Sequence, residues 1–402
     1  MLNSNKIIIS IAFLILSMGH SQAAEPPLPS KTLSVWIPYW NWKIGLERIK
    51  EIGCNIDEIS PFIYDFAGKG KLHLALNKAE ESLKKLRDII KTCSNVKLIP
   101  TIVNDWRKTP TSTVFKDPKL IHELLQDDIK RKNHIQEILG IVKKHAWDGI
   151  DIDYESLEPK SLPYFTKFAQ ELSQELHHAN KLLSITLQPK TEKTLPTIKG
   201  AGAQDWPALA QAADRIRVMA YYYAESLNDP GPITPIYWLK DILKYGNNLI
   251  PEEKFVIALK AFQGLQWVRG GSYQSITTID VQNLSSDPRV LLQFDPLTSS
   301  SYMSFTKGGA QHTIWIEDLV AMKNKLDWLK KEKLNGIAIW HIASQDVELS
   351  KLLIEQFPKN VVGAQGNTTN SDMKKDSIQS EGDKKGATIR TIDVQLSYST
   401  LY

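Results

Sequence analysis

The chain has 402 residues, 42% of them hydrophobic and 23% charged, an ordinary globular composition with ample length for a large core. Its net charge of +4 is small and gives no basis for a nucleic-acid partner.

The first element in chain order is not part of the fold. Lys6 precedes a mostly apolar run, Ile7 to Leu16, and small residues follow at Ser21-Gln22-Ala23-Ala24. This is the charge, length and cleavage pattern of a secretory signal peptide over residues 1–23. The run is too short to span a bilayer, and the competing reading is an uncleaved anchor. The mature chain is therefore expected to be secreted or periplasmic, free of the membrane and monomeric.

Eight short strand-like runs follow: Leu33–Trp40, Glu58–Phe66, Val96–Val103, Gly149–Glu155, Leu182–Pro189, Arg215–Tyr223, Lys254–Phe262 and Gly336–Ile342. Most are nearly continuous apolar stretches, as in parallel strands covered on both faces. Helical spacing separates them. Ile129, Ile135, Ile138, Leu139 and Val142 recur before the fourth run. Leu162, Phe165, Phe168, Leu172 and Leu176 recur after it. Eight strand–helix alternations predict an α/β fold, a (β/α)8 TIM barrel spanning residues 32–357. An open doubly wound sheet is the alternative, but no Gly-rich phosphate turn follows the first strand.

Residues 263–317 are too many for a plain loop. Alternating pieces at Ser275–Val281 and Val290–Phe294 predict a small β-insertion between strands seven and eight, forming one wall of a cleft. From Pro358 to the end (358–402) the chain turns polar, with the composition of a disordered tail. Cys54 and Cys93 each precede a predicted strand, and those strands are consecutive. Both thiols would then lie at one end of the sheet, where they could form a disulfide or remain two small buried hydrophobes.

The fourth run carries the chemistry. Asp148-Gly149-Ile150-Asp151-Ile152-Asp153-Tyr154-Glu155 places four carboxylates in eight residues. Strand side chains alternate, so Asp151, Asp153 and Glu155 share one face, about 6.6 Å apart in sequence order, and Ile150, Ile152 and Tyr154 share the other. Groups so close must couple. A row of acids backed by buried isoleucines suits chemistry that needs one neutral acid beside one carboxylate. A solvated edge strand and a hard-cation site are the bland rivals. The nine histidines show no metal-type spacing, and no metal or cofactor is expected. In a barrel the C-terminal strand ends form the site, which puts Glu155 at the mouth and Asp151 deepest.

These eight residues resemble the D-G-x-D-x-D-x-E signature of glycoside hydrolase family 18. Met219-Ala220-Tyr221 is similar to the stretch that ends strand six in that family. Gly336-Ile337-Ala338-Ile339-Trp340 is similar to its strand-eight segment. The resemblance implies substrate-assisted retaining hydrolysis, in which the substrate's own acetamide oxygen attacks the anomeric carbon. By position, it implies that Glu155 is general acid and then base. Asp153 would bind the acetamide N–H, and Asp151 would share a proton with Asp153. Tyr221 would bind the acetamide oxygen, and Trp340 would stack under the sugar. Asp148 and Gly149 would serve the start of the strand. Glu155 is required to carry a proton, which neighbouring acids favour.

The chain departs from chitinases of that family at Thr101-Ile102-Val103-Asn104-Asp105-Trp106 and at Tyr222, which follows the strand-six tyrosine. Asn104, Pro230-Gly231-Pro232-Ile233-Thr234-Pro235-Ile236-Tyr237-Trp238 and His312-Thr313-Ile314-Trp315-Ile316-Glu317-Asp318 are nearer in pattern to the spore-cortex-lytic branch, which cuts peptidoglycan. Asn104, Gln188 and Tyr222 are expected as secondary substrate contacts. Trp40, Trp42, Trp106 and Trp267 near strand ends would line further sugar subsites or simply pack. The expected partner is an N-acetylglucosamine-containing polysaccharide, peptidoglycan or chitin. A catalytically inactive glycan-binding barrel and an inhibitory barrel that contacts protein through the same cleft are the other readings.

Overall fold

The structure, a computed structural model, describes residues 31–109, 111–224, 230–268, 273–287, 290–344 and 346–359. The expected signal segment, residues 1–23, and the tail beyond Lys359 lie outside them. β1 (Thr32–Pro38) is followed by β2 (Glu58–Ala67), which folds back as β3 (Lys71–Leu74). β4 (Lys97–Leu98) and β5 (Thr101–Thr109) together make the third barrel strand, and β5 folds back as β6 (Ser112–Val114). Next come β7 (Gly149–Asp153), β8 (Leu182–Leu187), β9 (Arg215–Met219) and β10 (Phe255–Lys260). A separate antiparallel sheet of β11 (Gln263–Val268), β12 (Tyr273–Thr277), β13 (Gln293–Asp295), β14 (Ser300–Lys307) and β15 (Ala310–Ile316) precedes β16 (Gly336–Trp340). β16 pairs with both β10 and β1, and β2 pairs with β5, so eight parallel strands close into a (β/α)8 barrel.

The third strand is broken where one continuous run was expected. Pro100 has no N–H to give to a ladder, so the pairing with β2 stops at Leu98 and resumes at Thr101. β2 and β5 also run past the barrel and turn back, raising two hairpins above its rim, with Phe66 opposite Trp106. The β2–β3 turn needs Gly68 and Gly70 at φ of 55° and 76°, which glycine reaches without a Cβ clash.

The strands alternate as their sequences require. Their outward isoleucines and leucines, with Ile150 and Ile152 among them, join Phe165, Phe168, Leu172 and Leu176 of helix Leu162–His178 in one buried layer. Helix Asp128–Lys144 starts where Asp127 accepts from Ile129 N at 2.9 Å and Lys130 N at 3.0 Å, satisfying its first amides. The inward side chains are of two kinds. Low in the barrel Glu58, Ser60, Asp151, Ser184 and Arg217 are buried. Above them Trp36, Phe62, Val103, Met219 and Tyr221 form a second apolar cluster.

Cys54 and Cys93 are joined in a disulfide. In the inserted sheet the expected strand Ser275–Val281 ends early. Thr277 and Asp280 form a reciprocal capping box that starts helix Thr278–Leu284.

Candidate active site

β7 is fixed before its acids are placed. Asp148 accepts from Leu98 N at 2.8 Å, while its own N–H donates to Leu98 O at 3.0 Å and its carbonyl accepts from Leu182 N at 3.0 Å. It thus ties the starts of three strands. A Cβ at Gly149 would lie 2.3 Å from Leu182 O, so only glycine allows β8 this near.

Asp151 is fully buried, in a nest of hydroxyls. Its oxygens accept from Ser184 at 2.6 Å, Thr101 at 2.9 Å and Thr186 at 3.1 Å, and Arg217 stands 3.6 Å away. No hydrogen bond joins Asp151 to Asp153, so the expected proton sharing is not formed in this structure. Three hydroxyls and a guanidinium have taken the oxygens it would use. Asp153 is 5% exposed, and its Oδ1 accepts no hydrogen bond from the chain. Burial pushes its carboxyl well above the usual range. Lys116 opposes this, and Glu155, Asp151 and Asp105 add to it.

Glu155 lies just past the last ladder residue and is 5% exposed. Its N–H donates to Asn104 Oδ1 at 2.9 Å, and its carbonyl accepts from Asn104 Nδ2 at 2.9 Å. The same Nδ2 donates to Asp117 O at 3.3 Å. This corrects the expectation for Asn104. It is fully buried with every polar atom committed, so it positions Glu155 and does not contact substrate. Gln188 also serves this turn, accepting from Ser156 N at 3.2 Å, although it remains half-buried.

The sequence reading missed Lys116. Its ammonium lies 2.5 Å from Glu155 Oε1 and 3.7 Å from Asp153 Oδ2. Neighbouring charge at Glu155 is therefore not only negative, as expected, but includes a direct cation. Burial opposes the charge on Lys116, but Glu155, Asp153 and Asp105 outweigh it and hold the ammonium above its ordinary range.

The aromatic side is built mainly by β1, β2 and β16. Half-buried Trp340 packs edge-on against Phe62 at 5.0 Å, Trp36 at 6.1 Å and Trp40 at 6.2 Å between ring centroids. Trp40 is 43% exposed, and so sits at the rim with a free face. Tyr221 is buried in the inner cluster with Tyr222 partly buried beside it, their rings 4.9 Å apart. Of the other tryptophans, Trp42 belongs to the outer core under the helices, which removes it as a sugar contact. Trp106 donates to Gly68 O at 2.8 Å in the hairpin turn. Trp267 is buried against Tyr273. Among the described residues no group of three or more His, Cys, Asp or Glu is placed to hold a metal ion.

Folding buries the Asp153 carboxyl in a dry site, at a cost that depends on pH. The folded chain binds a proton there more tightly than the unfolded chain. Stability therefore falls as pH rises from about 4, the ordinary carboxyl value, through the raised folded value. Asp153→Asn is expected to melt higher than the parent at about pH 7, with the gain shrinking toward about pH 4. Equal melting differences at both pH values in calorimetry would contradict this.

A closed barrel whose fourth strand carries Asp151 low in the barrel, Asp153 above it and Glu155 at its C-terminal end has the acids that a glycoside hydrolase needs. The family model for glycosyl hydrolases family 18 matches residues 35–346, and the chain belongs to that family. It is 25% identical over 240 residues to the cortical fragment-lytic enzyme of Bacillus anthracis, covering 58% of this chain and 55% of that one. The chain thus matches little more than half the length of that relative. Among solved structures, the Bacillus cereus spore cortex-lytic enzyme SleL superposes with a TM-score of 0.70 at 21% identity, covering 83% of this chain and 75% of that one. The chitinase of Chromobacterium violaceum superposes with a TM-score of 0.71 at 18% identity, covering 82% and 100%. These two likenesses concern the fold.

Proposed function

We propose that this chain is an exported hydrolase that cuts the β-1,4 bond following N-acetylglucosamine in peptidoglycan, with retention, through attack by the substrate's own acetamide oxygen. The observation that carries the reading is Asp153 Oδ1, a buried acceptor without a donor in the chain, on a carboxyl that shares the Lys116 ammonium with Glu155. An unsatisfied buried acceptor costs about 1–3 kcal/mol, and an acetamide N–H would satisfy it. That contact turns the acetamide oxygen toward the anomeric carbon. Glu155 gives its proton to the leaving oxygen as the ring becomes cationic, and Asp153 stabilises the oxazolinium. Glu155 then takes a proton from water, which opens the oxazolinium and restores the acid. Trp340 offers an apolar face to the sugar. Peptidoglycan is favoured over chitin by the cortical fragment-lytic relative. Export is supported by the Lys6–Ala24 pattern and by the Cys54–Cys93 bridge, which persists in oxidising compartments.

The test is to incubate the protein with purified peptidoglycan, its de-N-acetylated form and chitin oligomers, and to identify the new reducing ends. New N-acetylglucosamine ends from native peptidoglycan alone are expected. Cleavage of the de-N-acetylated polymer would overturn the mechanism, and cleavage of chitin with peptidoglycan untouched would overturn the choice of substrate.

A further inference from the structure

The group that acid catalysis must find protonated is paired with a cation. Lys116 follows β6 in a left-handed conformation, φ 50°. Its N–H donates to Asp105 Oδ1 at 2.9 Å. The next residue, Asp117, donates from its own N–H to Asn104 O at 2.8 Å and caps helix Pro118–Leu125. Asn104 is the residue that grips the Glu155 backbone on both sides. The Lys116 turn and the Glu155 turn are therefore fastened to one buried amide, and the 2.5 Å contact between their side chains follows from that framework.

The contact is a problem for catalysis. A neighbouring ammonium favours the carboxylate form of an acid, whereas bond cleavage needs the acid form. Lys116 is also the movable partner. Its ammonium rides on a four-carbon stem, its side chain is 27% exposed, and it passes 5.6 Å from the centre of the Phe62 ring. Asp105, whose charge also acts on Lys116, offers it a second anchor. The other acidic group acting on Lys116 is Asp153 of β7, on which Asp151 acts in turn.

We propose that Lys116 is a positioning residue that locks Glu155 by pairing with it, and that an incoming glycan must displace it before Glu155 can carry the proton it donates. This rests on the hydrolase reading above. The lock makes the free protein and the glycan-bound protein differ in the protonation of one carboxyl. A merely structural lysine, holding its loop in place, would not produce that difference.

The experiment is a carbon-13 titration of the glutamate carboxyls in the full chain without substrate, with the Glu155 signal assigned by its loss in Glu155→Gln. In Lys116→Met the Glu155 signal should titrate at higher pH than in the parent, the direction expected when an adjacent opposite charge is removed. Lys116→Arg should return it toward the parent value. The basic limb of kcat/KM, which reports the free enzyme, should move up with the titration, while the basic limb of kcat, which reports the bound state, should stay. An unchanged Glu155 midpoint in Lys116→Met overturns the lock, and so does a kcat limb that moves as far as the kcat/KM limb. Failure of the parent to cut any glycan would count against the hydrolase reading alone, because the titration is read without substrate.

Discussion

Glu155→Gln is expected to lower turnover of N-acetylated glycan about 10²–10⁴-fold, the range that one positioned general acid supplies. Glutamine keeps the shape and the Asn104 contacts, which run through the Glu155 backbone. What it removes is the proton that the leaving oxygen must receive. Binding should survive, since Trp340, Trp40 and Asp153 are untouched. Measurement of kcat on soluble peptidoglycan fragments, alongside calorimetric binding to the variant, separates these effects. Turnover within a factor of about three of the parent would mean that another group donates the proton.

Arg217→Met is expected to cost about 3–5 kcal/mol of folding stability, the usual consequence of removing one partner from a buried charge cluster. Arg217 is fully buried. It lies 3.0 Å from Glu58, 2.6 Å from Ser60 Oγ and 3.6 Å from Asp151, with its guanidinium 5.1 Å from the centre of the Trp36 ring. Burial alone would push the Glu58 carboxyl up, but Arg217 and Arg215 outweigh it and hold that carboxyl below its ordinary range. Glu58 therefore contributes stability above its unfolded value of about 4.3 and loses it as pH falls through its lower folded value. Without Arg217 that contribution is lost, so the gap between parent and variant in urea unfolding should narrow at low pH. A cost below about 1 kcal/mol at neutral pH would show that Arg215 and the hydroxyls suffice. Adding Glu58→Gln to Arg217→Met should recover part of the loss, because it removes the stranded charge.

The acid strand was legible because a period of two leaves only one arrangement that buries both isoleucines and gathers the acids. The barrel was legible from the repetition of apolar runs. Four things were harder to read. Pro100 was visible, but the apolar residues around it suggested an unbroken strand. Arg217 carried a usable signal, a charge in phase with the inward face between Ile216 and Val218, where only pairing makes burial tolerable. Lys116 carried none. It is one lysine in a polar loop, and only the β5–β6 hairpin, keyed by Asn104, brings it to Glu155. The Thr277-x-x-Asp280 box lost out to the strand preference of Ile276, Thr278 and Ile279.

The inserted sheet enters and leaves the barrel through a narrow neck. Gly264 of β11 lies opposite Ile316 of β15, and beneath them Phe262 N donates to Glu317 O at 2.8 Å while Glu317 N donates to Gln263 O at 3.0 Å. Leu265 and Trp267 reach from its base into the cluster that holds Tyr221. The flank that carries Asn104 and Lys116 has no such freedom, since its loops are stitched to the acid itself. Divergence in this architecture is thus channelled to one side. The part of the sheet beyond Leu265 and Trp267 is expected to tolerate lengthening or trimming to suit a different polymer, while the reacting groups stay where they are.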